Sequence, residues 1–118
     1  MERPAKPDAQ SEAVLTQALD RLWVRFLPEM KQRLAALETA AAALAQNSLS
    51  NPDRQAAHAA AHKLSGVLGT FGLKQGSDLA HELEVAFANQ DLPGSSSSAL
   101  ATAVAELRRL VENRQPAS

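Results

Sequence analysis

Apolar residues recur along this chain at three- and four-residue intervals, the spacing that places them on one face of a helix. Ser11 is the predicted N-cap of a first helix with Leu15, Leu19, Leu22 and Phe26 on its apolar stripe and Trp23 beside it, and Pro28 is expected to break it. A second series, Met30, Leu34, Leu37, Ala41 and Leu44, runs to the polar segment Gln46-Asn47-Ser48. Asn51-Pro52 reads as an N-cap followed by proline at the first helical position. A helix over 53–71 then gathers Ala57, Ala60, Ala61, Leu64, Val67, Leu68 and Phe71 on one arc, with Gly72 just past its end. The next helix buries Leu73, Gly76, Ala80, Leu83 and Phe87 and ends at the turn Asp91-Leu92-Pro93-Gly94. The serine run Ser95 to Ser98 is expected to cap a last helix with Leu100, Val104, Leu107 and Val111 inward. Four amphipathic helices with short connections predict an all-α, antiparallel up-down-up-down four-helix bundle, its first helical stretch broken near Pro28. Residues 1–10 read as a mobile N-terminal tail, 11–112 as the folded domain and 113–118 as a C-terminal linker.

Composition narrows the picture. A chain of 118 residues supports one domain with a single modest core. It is 45% hydrophobic but only 3% aromatic, so alanine-rich helices can pack closely and leave little room for a cofactor. The formal net charge of −1, with both signs interspersed, lacks the basic footprint of a nucleic-acid binder. The absence of cysteine excludes disulfides, thiolate chemistry and cysteine zinc sites. The longest apolar run, Thr39 to Ala45, is too short to cross a bilayer, and the N-terminus lacks the apolar core of a signal peptide. A soluble cytoplasmic domain, with neither nucleic acid nor membrane as partner, is the expectation.

His62 is the residue that stands out. At about 100° per residue it lies roughly 160° from the centre of its helix's apolar arc, on the side open to solvent or a partner. Helical side chains lean toward the N-terminus, so the residue that would shade His62 is the one a turn later, and that residue is Gly66; Gly69 follows on the same strip. A glycine inside a helix costs about 0.5 to 1 kcal/mol relative to alanine, so two so close together point to close approach by another molecule. A neutral imidazole at cytoplasmic pH has a free ring nitrogen that can act as a nucleophile. A proton donated from the other ring nitrogen would fix the tautomer and leave Nε2 to react.

The pattern Ala61-His62, Leu64, Gly66 and Gly72, with Leu83-Glu84 in the following helix, resembles the histidine phosphotransfer (HPt) domains of multistep phosphorelays. The resemblance spans roughly Leu15 to Val111. It implies that His62 is the phosphoacceptor and that Glu84, twenty-two residues on, accepts the proton of its second ring nitrogen. Most members carry a lysine three residues after the histidine, where this chain has Ser65. Lys63, beside the histidine, or Lys74, beyond the helix end, is then expected to supply the charge, with His58 and Lys74 on the docking surface. The chain has no glycine-rich nucleotide loop and no set of magnesium-binding carboxylates. The resemblance therefore implies no cofactor of its own. It implies instead a response-regulator receiver domain that brings the aspartyl phosphate and Mg²⁺, or a hybrid histidine kinase that carries one. The unit is expected to be a monomeric phosphocarrier, free or within a larger signalling chain, without kinase activity of its own.

Blander readings remain open at the residue level. His81 and Glu84 can be a solvated pair three residues apart on one helix face. Trp23, Phe26 and Phe71 can be core or boundary residues. The alternative functions are an adaptor bundle with a silent histidine and a metal-binding bundle using His58, His62 and His81, although three or four ligands would be required.

Overall fold

The structure, a computed structural model, describes residues 9–114. These form four helices, α1 (Ala9–Ala45), α2 (Asn51–Thr70), α3 (Lys74–Ala88) and α4 (Ser97–Asn113), with a short 3₁₀ turn at Gly94–Ser96 before the last. Most of the expected tails, residues 1–8 and 115–118, lie outside the described residues. Ala9 and Gln10 are already helical, and Asn113 is the last residue of α4 rather than the start of a linker.

The helix does not end at Pro28 as expected: α1 is one helix of 37 residues with Pro28 inside it. Proline removes one N–H, which strips the Val24 carbonyl of its helical partner, and its ring crowds the same carbonyl. Both Pro28 and Val24 face solvent, so water can take up that carbonyl. Trp23 and Met30, buried on either side, hold both halves of the helix to the core.

At about 1.5 Å per residue α1 is about 55 Å long, nearly twice α2. Its N-terminal turns therefore outrun the bundle. Leu15 and Leu22 are 61% and 39% exposed, whereas Trp23, expected beside the stripe, is 2% exposed. Leu15 and Leu22 lie on one line of the helix, and Trp23 and Met30 on another about 100° away; only the second meets the core.

The remaining core follows the sequence pattern. Met30, Leu34, Leu37, Ala41 and Leu44 of α1 are buried, as are Gly76, Ala80, Leu83 and Phe87 of α3 and Leu100, Val104, Leu107 and Val111 of α4. Helix α2 presents Ala57, Ala60, Ala61, Leu64 and Leu68, while Val67 and Phe71 are half-buried at its edge. Trp23 meets Phe71 edge to face at 5.2 Å, and the Arg114 guanidinium lies 4.8 Å from the Trp23 ring centre, closing that end.

Ser50, not Asn51, caps α2, its hydroxyl accepting from the Asp53 N–H at 3.2 Å. Asn51 is engaged elsewhere, accepting from Arg54 at 2.7 Å. The other end of α2 closes as a Schellman motif: Leu73 N–H bonds the Leu68 carbonyl and Gly72 N–H the Gly69 carbonyl, with Gly72 at φ 74°. The expected serine cap on α4 does not form; the serines enter the 3₁₀ turn, and Ser96 makes no side-chain cap bond.

Candidate functional site

Helices α2 and α3 form a hairpin whose polar contacts run in opposite chain order. Arg54 donates to the Phe87 carbonyl, His58 to the Glu84 carbonyl, His62 to the Glu84 carboxylate and Ser65 to the Ser77 carbonyl. Gly76 permits the close packing behind this seam, since a Cβ there would meet Leu68 Cδ1 at 3.2 Å. Buried Arg54 places its charge on a carbonyl at the C-terminal end of α3, where the helix dipole favours a cation.

His62 projects from the middle of α2 with 71% of its side chain exposed. Its Nδ1 lies 2.8 Å from Glu84 Oε2, and Glu84 is only 19% exposed. A carboxylate accepts, so Nδ1 carries a proton, and in the neutral ring Nε2 is then the nitrogen with the lone pair. The other carboxylate oxygen lies 3.5 Å from His81 Nδ1. The hydrogen bond from His62 is the main reason that the Glu84 carboxyl is held below its ordinary value; partial burial opposes this, and the His62 charge and the hydrogen bond from His81 assist it. His58 is turned to α3, its Nδ1 donating to the Glu84 backbone carbonyl at 3.0 Å. Three histidines thus converge on one glutamate. No group of three such side chains among the described residues is arranged to hold a metal ion.

At Gly66 a Cβ would meet nothing within 4 Å, so the neighbouring surface of the chain does not require glycine. Gly69 is different, because its Cβ position faces Ser77 Oγ at 3.5 Å and so looks toward α3. Ser65, at the position where the family usually has lysine, is half-buried in a reciprocal clasp: its hydroxyl donates to the Ser77 carbonyl at 3.1 Å, and the Ser77 hydroxyl donates to the Ser65 carbonyl at 2.9 Å. Lys74 pairs with Asp78 at 3.0 Å in the first turn of α3.

On its other flank His62 borders a cleft of about 540 Å³ between α1 and α2, walled by Phe26, Glu29 and Arg33 on one side and by His62, Lys63 and Gly66 on the other. Lys63 lines this cleft together with the histidine, whereas Lys74 does not. Sequence reasoning missed Arg33. Its signal was present, because Phe26 and Arg33 are seven residues apart and share a helix face once α1 is allowed to continue through Pro28.

A family model described as Hpt domain matches residues 21–115, most of the chain. No curated protein and no solved structure gives a match.

Proposed function

We propose, from the premise that this chain belongs to the Hpt domain family, the histidine phosphotransfer domains of phosphorelays, that His62 is its phosphoacceptor and exchanges a phosphoryl group with the aspartate of a receiver domain. The observation that carries this reading is the Nδ1–Glu84 contact of 2.8 Å on a ring that is otherwise open. That contact orients the ring and, in the neutral imidazole, holds the proton on Nδ1, which leaves Nε2 as the outward nitrogen with the lone pair. The Nε2 lone pair attacks the phosphorus of the aspartyl phosphate in line. The Nε2–P bond forms as the P–O bond to the aspartyl carboxylate breaks, and the electron pair leaves with that carboxylate.

With phosphorus on Nε2 and a proton on Nδ1, the ring carries a positive charge, which the Glu84 carboxylate faces directly. Glu84 therefore favours the phosphorylated form as well as the reactive tautomer. Mg²⁺ and the charge stabilisation around the moving phosphoryl group belong to the receiver, and this chain contributes the nucleophile and a docking face. It acts as a carrier without kinase activity.

Incubation with a panel of phosphorylated receiver domains tests the proposal. The expected result is an acid-labile, base-stable phosphoryl group acquired from at least one receiver by the native chain and not by His62→Gln, with helicity unchanged in the variant. Equal labelling of His62→Gln would overturn the assignment. Receiver binding with no transfer to the native chain would favour an adaptor role instead.

A further inference from the structure

The cleft between α1 and α2 brings two permanent cations to the flank of His62, whereas on the α3 side His81 shares the Glu84 carboxylate and Lys74 is paired with Asp78. A phosphoryl monoester carries about two negative charges near neutral pH, and placing it on an imidazole calls for cationic donors around its oxygens. Toward α3 the histidine meets the Glu84 carboxylate, and the hydroxyl of Ser65 is spent on Ser77. Nε2 lies across the ring from Nδ1, so the atom that would bear the phosphoryl group points away from α3. In the cleft on that other flank stand Arg33 and Lys63.

Resting on the reading of His62 as phosphoacceptor, we propose that Arg33 of α1 binds the phosphoryl group carried by His62, with Lys63 as a second, weaker cation. Arg33 is 22% exposed, so its side chain is laid along the protein surface. Its guanidinium makes one ion pair, Nη2 to Glu29 Oε1 at 3.3 Å, with a carboxylate that is 59% exposed. Such exposed pairs contribute little, and a guanidinium has five N–H donors in a planar fork suited to phosphate oxygens. Glu29 thus parks Arg33 at the cleft before phosphorylation and competes with the phosphoryl group afterwards. Phe26, half-buried against the core, lines the same cleft.

Phosphorus NMR on the whole chain, phosphorylated by phosphoramidate so that no receiver is needed, tests the assignment. A cation at the phosphoryl oxygens lowers the pH at which the dianionic group takes up a proton. Arg33→Gln is expected to raise that midpoint by about 0.5 to 1 pH unit, with Arg33→Lys restoring most of the native value. Glu29→Gln is expected to move it down, and Lys63→Gln to raise it less than Arg33→Gln does. A midpoint unmoved by Arg33→Gln, or moved by Lys63→Gln alone, would overturn the role of Arg33 while leaving His62 as phosphoacceptor. A native chain that takes up no phosphorus at His62 would instead remove the reading on which this role rests.

Discussion

The Nδ1 proton of His62 is held by the Glu84 carboxylate at 2.8 Å, so a side chain on α3 decides which nitrogen of an α2 side chain is nucleophilic. Glu84→Ala removes both the acceptor and the charge, whereas Glu84→Gln keeps an acceptor oxygen and loses the charge. A charge-assisted hydrogen bond is worth about 1.5 kcal/mol at the low end suited to an exposed ring, which corresponds to about tenfold. Glu84→Ala should therefore slow phosphorylation of His62 by about tenfold or more, with Glu84→Gln between it and the native chain. Rates measured against one phosphorylated receiver check this order.

The same contact sets a pH dependence. The Glu84 carboxyl is held below its ordinary value of 4.5, chiefly by the hydrogen bond from His62. A depressed carboxyl contributes stability that is fully present above the ordinary value and is lost as pH falls through the depressed one. Carbon NMR of the Glu84 carboxyl should show a midpoint below 4.5 in the native chain and a rise toward that value in His62→Ala. An identical midpoint in both proteins would mean that the two side chains do not interact in solution.

Gly72 sits at φ 74°, in the left-handed region, where it closes α2 ahead of the turn into α3. A Cβ there costs about 1 to 2 kcal/mol. Gly72→Ala should lower stability by that amount in denaturant unfolding. Because Gly72 lies beyond the helix end and away from His62, phosphorylation of the folded variant should proceed at close to the native rate.

Pro28 interrupts the hydrogen-bond ladder of α1 at an exposed position without ending the helix. Replacing it by alanine restores one N–H donor and removes the ring. Pro28→Ala is expected to stabilise the chain by up to about 3 kcal/mol, read as a higher denaturation midpoint. A destabilised variant would mean that the bundle depends on a bend at this residue.

Much of the core was legible in the hydrophobic period. All four predicted inward positions of α4 are buried, and so are the five of the second half of α1. The period fails where a helix outruns its neighbours, as at Leu15 and Leu22, because it shows which residues share a face but not whether another helix covers that face. Pro28 misled for a related reason: local backbone preference is outweighed when buried residues such as Trp23 and Met30 flank the proline.

At the site, His62 and the spacing of Glu84 were readable from the motif and helix pattern. The Ser65–Ser77 clasp, the Arg54 contact with Phe87 and the turning of His58 toward α3 were not, since each depends on the register of two helices, which no single-helix pattern encodes.

Long-range proton–nitrogen NMR of the chain, labelled with ¹⁵N in its histidines and phosphorylated by its receiver, tests the central claim most directly. The expected spectrum shows phosphorus on Nε2 of His62, with Nδ1 protonated and His58 and His81 unmodified. Phosphorus on Nδ1 of His62, on either of the other histidines, or on none of the three would contradict it.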